Sequence, residues 1–199
     1  NIANQVDPAF EGKLHFIVGD VNTGLFGEQQ YAAVFAKAAL HHVENLEALF
    51  AGIKRCLLPG GKLVTIDFFG PDRFQWTDTQ LLHANKLLAG LPAALRLRLD
   101  GTTKEHIERP TLEMMIATDP SEAVRSAALS AFIEQHFSNV RNFAIGGTLL
   151  HLVFSPDILN NFNPDNPEHA QLIRNAFAYE RTLLDSGELE SDFRFIVAG

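Results

Sequence analysis

Two adjacent histidines, His41 and His42, follow an apolar run and offer side chains that could do acid–base chemistry. Imidazole titrates near neutrality, so either could act as a general base. The bland alternative is that one packs under the next helix and the other is solvated. A pair of imidazoles also raises metal ligation. Side chains at i and i+1 diverge, however, and no HxxxH spacing accompanies the pair, so no metal site is expected. A second candidate is Asp20, which ends the apolar run KLHFIVGD. That position places a carboxylate at the carboxyl end of a strand, where open α/β sheets take their ligands. It also suits an ordinary turn aspartate.

A third group lies in FFGPDRFQWTD, residues 68–78. Arg73 and Gln75 beside Trp76, the sole tryptophan, would suit a sugar ring or a carboxylate. Equally, Phe74 and Trp76 could anchor the loop by burial. Further on, Asp119-Pro120-Ser121-Glu122 reads as a helix start, with an N-cap, Pro at N1 and Glu at N3. Arg125 then either contacts substrate or pairs with Glu122 one turn away. Cys56 is the single cysteine, which excludes an internal disulfide and a cysteine-cluster zinc site. It falls in a helical apolar register, as a buried inert thiol would. Serine nucleophile elbows, P-loops, HExxH and EF-hand loops are absent. None of the fourteen glycines lies in a GxGxG-type loop.

The elements expected to position these residues begin with a strand at 14–18 and a near-continuous apolar strand at 31–36, the pattern of a sheet covered on both faces. Asn45 caps a helix whose stripe is Leu46, Leu49, Phe50, Ile53 and Leu57. Pro59-Gly60-Gly61 turns the chain into a strand at 62–69. A strand, a helix and a strand make a right-handed βαβ unit. The expected fold class is therefore α/β, a Rossmann-like, mostly parallel sheet with helices on both faces. Helices are expected at 78–89, 112–117 and 120–137, forming an insertion over the carboxyl ends of the strands. Strands are expected at 140–145 and 193–198, with a segment at 148–154 that reads as strand or helix, the helix preferred, and a long helix from Asn166-Pro167 to Ser186 between them. The expected organisation is a partial core at 1–69, a helical cap at 70–138, and the rest of the core with its inserted helices at 139–199.

The 199 residues contain 46% hydrophobic and 10% aromatic side chains, with a mean hydropathy of +0.01. That is long enough for one good core. Sixteen basic and 24 acidic residues give a net charge of −8 and a pI of about 5.4. This argues against nonspecific nucleic-acid binding, which needs a basic face. No run approaches the roughly 20 apolar residues that span a bilayer. No nucleic-acid partner and no membrane are expected, and the cytoplasm is the default location.

In GDVN (residues 19–22), VFAKAALHHV (34–43) and LLPGGKLVTIDFF (57–69), the chain resembles the class I S-adenosylmethionine-dependent methyltransferases. Three short matches in the right order and spacing are fairly specific and cover about a third of the chain. The resemblance implies methyl transfer, with S-adenosylmethionine as the cofactor, and an antiparallel C-terminal edge pair that the strands at 140–145 and 193–198 would form. It places Asp20 and Val21 beside the adenine. Lys37, Ala38, His41 and His42 fall beside the methionine part and the transferring methyl. The FGP…RFQW and DPSEAVRS series resembles methyltransferases near glycan-assembly functions, implying a small-molecule or sugar-type acceptor met by Arg73, Gln75, Trp76 and Arg125. The family's first strand, glycine loop and ribose carboxylate would precede Asn1. The chain is thus expected to be an N-terminally truncated piece that binds the cofactor weakly or not at all. In the family's strand order the absent strands would lie between 14–18 and 31–36. Either those two strands pair directly, or a second copy fills the edge as a homodimer. The rival class is a non-catalytic α/β fragment serving as a substrate lid or dimerisation module.

Overall fold

A computed structural model describes residues 13–27 and 30–199. Its sheet has four strands: β1 (Tyr31–Lys37), β2 (Leu57–Phe68), β3 (Val140–Gly146) and β4 (Phe193–Ala198), in the order β1-β2-β4-β3. β1 and β2 are parallel and are linked by helix α1 (Leu46–Cys56), the expected βαβ unit. β4 runs antiparallel to both β2 and β3, forming the expected edge pair. Among the described strands one pairing is parallel and two are antiparallel.

α1 forms because its apolar residues fall on one stripe. Leu46, Leu49, Phe50, Ile53 and Cys56 are buried, and Asn45 accepts a hydrogen bond from the Ala48 N–H as N-cap. That stripe packs on Leu63, Ile196 and Ala198 of the sheet, together with Leu129 and Ile133 of the later helix α4. The opposite sheet face carries Phe35, Ile66 and Phe143, all exposed. Helices on both faces were expected; among the described residues this half of the sheet is covered on one.

The remaining helices are α2 (Asp78–Ala89), α3 (Leu112–Thr118), α4 (Leu129–His136), α5 (Leu150–Val153), α6 (Pro156–Leu159) and α7 (Pro167–Asp185). α2, α5, α6 and α7 share a second core around Leu88, Leu149, Val153, Ile158 and Leu183. Buried polar groups tie this layer together. Glu180 of α7 accepts the N–H groups of Gly147, Leu149 and Leu150 at the start of α5. Gln80 of α2 donates to Asp192, whose carbonyl accepts from Phe69 just past β2.

Two expected elements differ. Residues 14–18 form no strand: Leu14, Phe16, Ile17 and Val18 are exposed and pair with no neighbour in the sheet. A strand needs a ladder partner for its backbone groups, and among the described residues β1 pairs with β2 alone. The helix expected at 120–137 is confined to α4, preceded by a short 3-10 turn at Ser126–Ala128. Residues 119–125 form an irregular loop held by tertiary bonds. Among the described residues no helix is long and apolar enough to cross a membrane.

Candidate active site

β1 ends at Lys37, and the chain turns at once into a 3-10 turn, Leu40–His42. Ala38 carries the turn at φ +47. Leu40 and Val43 are buried in the core and pin the two histidines between them. The turn is fastened by Asp67, the penultimate residue of the neighbouring strand β2. Its Oδ2 accepts the N–H groups of Ala39 and Leu40, each at 2.9 Å. Its Oδ1 accepts the Phe68 N–H at 2.9 Å and lies 2.5 Å from His41 Nδ1.

Asp67 is buried, at 1% exposure. Burial pushes its carboxyl up, but the hydrogen bonds from His41, Ala39 and Leu40 outweigh it and hold the group below the usual carboxylate range. For His41, burial opposes the charge. The Asp67 hydrogen bond and the carboxylates of Asp67, Glu122 and Asp119 prevail, so its pKa is raised. Both directions follow from the one close contact between the Asp67 carboxylate and the His41 ring.

The loop 119–125 closes over the other edge of His41. Glu122 Oε1 stands 3.3 Å from His41 Nε2 and Glu122 Oε2 3.9 Å from His42 Nε2. His42 Nδ1 lies 3.0 Å from Ser121 Oγ, which donates its proton to Asp119 Oδ1 at 2.7 Å. The loop is locked by Arg73, whose Nη1 donates to the carbonyls of Pro120 (2.6 Å) and Glu122 (3.2 Å). The Arg73 N–H donates to the Ala123 carbonyl, and the Val124 N–H to the His41 carbonyl. Among the described residues the four non-glycine residues with positive φ are Ala38, Arg73, Phe74 and Ala123, all at this junction. Such conformations cost roughly 1–3 kcal/mol each and persist where surrounding contacts over-determine them.

The sequence-derived candidates divide accordingly. His41 and His42 come together with Asp67 and Glu122. Lys37 and Ala38 lie beside them at the end of β1, exposed. Asp20 caps a 3-10 turn, Val21–Thr23, accepting from the Asn22 N–H at 2.9 Å. Asn22 in turn accepts the N–H groups of Glu44 and Asn45 at the head of α1. Val21 is exposed.

Arg73 holds backbone carbonyls, and Gln75 does likewise, donating to the carbonyls of Arg73 and Pro110. Trp76 is half-buried and stacks on Phe74 with ring centroids 5.6 Å apart. Arg125 forks onto both oxygens of Glu47, at 2.8 and 2.9 Å, rather than onto Glu122. Asp67 and Glu122 were not singled out as site residues. A carboxylate inside the apolar strand KLVTIDFF was the available signal for the first. Glu122 was assigned to a helix start. Cys56 is buried as expected, and burial pushes its thiol up. A cleft of about 310 Å³ between α2 and α7, lined by Leu87, Leu91, Val153 and Tyr179, carries neither imidazole nor carboxylate. The cluster of His41, His42, Asp67 and Glu122 lies at the carboxyl ends of β1 and β2.

Residues 2–65, which supply β1, α1 and the two histidines, match a protein family described as "Methyltransferase domain". Over its first third, the chain is similar to the methyltransferases. The resemblance carried by the GDVN, LHH and PGG segments thus stands on an independent match. No curated protein matches the chain. Among solved structures it is similar to phosphoethanolamine N-methyltransferase 2 of Haemonchus contortus with phosphomonomethylethanolamine and S-adenosylhomocysteine. There the identity is 11%, with 91% of this chain and 36% of that chain covered and a TM-score of 0.43. The S-adenosyl-L-methionine complex of phosphoethanolamine N-methyltransferase 2 from the same organism gives 11% identity, 90% and 35% coverage and a TM-score of 0.45. An Anabaena variabilis protein, described as a methyltransferase from an antibiotic biosynthesis pathway, gives 14%, 100%, 78% and 0.39. The chain spans about a third of the length of the Haemonchus enzymes.

Proposed function

We propose that this chain is part of an S-adenosylmethionine-dependent methyltransferase whose acceptor is a small hydroxylated molecule, such as a sugar. The observation that carries the reading is the methyltransferase-domain match over residues 2–65, which ends beside a built polar cluster at the carboxyl ends of β1 and β2. Ligands of open α/β sheets bind at that end. Asp20 and Val21 would meet the adenine, and Lys37 and Ala38 the methionine moiety.

Methyl transfer is an in-line displacement at a sulfonium carbon, so alignment and exclusion of water matter most. A hydroxyl acceptor also needs a base. His41, oriented through Nδ1 by Asp67, can take a proton at Nε2. His42 offers a second, more exposed imidazole. Segment 70–126, which reaches the same strand ends through Arg73 and Glu122, would select the acceptor.

Calorimetric titration of S-adenosylmethionine into the full-length protein in which this sequence occurs tests the reading. Saturable binding is expected, weakened by about 1–3 kcal/mol in Asp20→Ala, the range for a lost hydrogen bond to a charged or buried group. Absence of binding to the full-length protein would refute it.

A further inference from the structure

His41, His42 and Glu122 gather three candidate ligands on one spot, with ligand atoms all within 4.8 Å of one another. The hydrogen bonds around them fix where each electron pair points. Ser121 has one hydroxyl proton and donates it to Asp119, so toward His42 Nδ1 it can only accept. His42 Nδ1 therefore carries the hydrogen, which leaves Nε2 as the lone-pair nitrogen of the neutral ring. His41 is fixed in the same way: Nδ1 faces the Asp67 carboxylate, which only accepts, so in the neutral ring Nε2 holds the lone pair. Both free nitrogens then face the Glu122 carboxylate, at 3.3 and 3.9 Å. In the neutral rings these lone pairs and the carboxylate repel one another unless a proton or a metal cation sits among them, and a metal ion can satisfy all three at once.

We propose that His41 Nε2, His42 Nε2 and Glu122 bind a borderline divalent cation of the zinc class, with Asp67 and Ser121 orienting the two imidazoles from behind. Two imidazoles and a carboxylate suit zinc or cobalt rather than magnesium or calcium, which prefer oxygen. Bonds of about 2.0–2.1 Å in a tetrahedral site set ligand atoms roughly 3.4 Å apart. The two contacts of Glu122 bracket that spacing. A second hydrogen bond from each ligating histidine to a carboxylate or hydroxyl is the usual support of such sites. Three protein ligands leave a fourth position open at the carboxyl end of the sheet.

Adjacent histidines are poor joint ligands on an α-helix. Here they sit on a 3-10 turn entered through Ala38 at φ +47, and their ring centroids are 4.2 Å apart. This removes the geometric objection that the sequence raised against a metal. The inference does not rest on methyl transfer, because the three side chains converge whatever the reaction is; with the ion bound, His41 Nε2 is a ligand and does not serve as the base.

The test is titration of zinc and of cobalt(II) into tag-free, chelator-stripped protein, without S-adenosylmethionine. One ion per chain is expected, with the visible absorption of tetrahedral cobalt. His42→Asn and Glu122→Gln should each weaken binding at least tenfold. Ser121→Ala, which frees the second nitrogen of His42, should weaken it less but measurably. His41→Asn enters the comparison only if its circular dichroism matches the parent. Binding unchanged in both His42→Asn and Glu122→Gln would place the ion elsewhere and overturn the proposal, as would absence of stoichiometric binding. Cofactor binding is read separately, so failure of one result leaves the other standing.

Discussion

Asp67 Oδ1 lies 2.5 Å from His41 Nδ1, joining the end of β2 to the turn that follows β1. The same carboxylate also receives the Ala39 and Leu40 N–H groups, so one buried side chain sets both the backbone of the turn and the orientation of the imidazole.

Breaking that pair should therefore be expensive. Replacing one partner of a buried ion pair leaves the other uncompensated, typically at about 3–5 kcal/mol. Asp67→Ala should fall in that range by urea unfolding, and Asp67→Asn, which can still accept the turn's N–H groups, should lose less. Equal losses would mean that the carboxylate's charge toward His41 contributes nothing.

Arg73, a candidate substrate contact, also secures the loop that carries Glu122. Arg73→Ala should leave overall stability within about 2 kcal/mol, since a net hydrogen bond is worth roughly 1 kcal/mol. It should also speed proteolysis within residues 119–125. A protease-resistant loop in this variant would show that other contacts suffice.

Trp76 stacks on Phe74 and packs against the second core. Trp76→Ala should cost about 3 kcal/mol, the lower end for a core aromatic because the ring is half-buried. A melting temperature equal to the parent's would return Trp76 to the list of substrate contacts.

Asp192 supplies the pH dependence. Burial is the main cause that raises its pKa to about 7, aided by nearby Glu180 and opposed by the Gln80 hydrogen bond. In the unfolded chain an aspartate titrates near ~3.9, so the folded state binds the extra proton between the two values. Its contribution is full below ~3.9, declines as pH rises toward about 7, and is lost above it. The gap corresponds to roughly 4 kcal/mol at most. Asp192→Asn keeps an acceptor for Gln80 but cannot ionise, so it should be more stable than the parent at pH 8 and flatten the profile between pH 5 and 8. A parent profile of unchanged slope in this variant would assign the titration to another group.

Much of the fold was legible in the sequence because its signals are local. The Leu46–Ile53 stripe, the Asn45 and Asn166 caps and the apolar β1 and β2 segments each act within a few residues. The misses concern partners distant in sequence. Asp119 and Glu122 satisfy helix-start rules, yet bonds from Arg73 and to His41 hold that segment as a loop. Residues 14–18 have a strand's composition, yet among the described residues they pair with no strand. The role of Asp67 was hidden because its turn lies 26–28 residues earlier.

The central claim is that the carboxyl ends of β1 and β2 form a methyl-donor site. Ultraviolet crosslinking of radiolabelled S-adenosylmethionine to the full-length protein, followed by peptide mapping, tests it without knowledge of the acceptor. The account predicts label within residues 19–23 or 37–42, reduced by excess S-adenosylhomocysteine. Label confined to the cleft between α2 and α7, or label that S-adenosylhomocysteine does not displace, would contradict it.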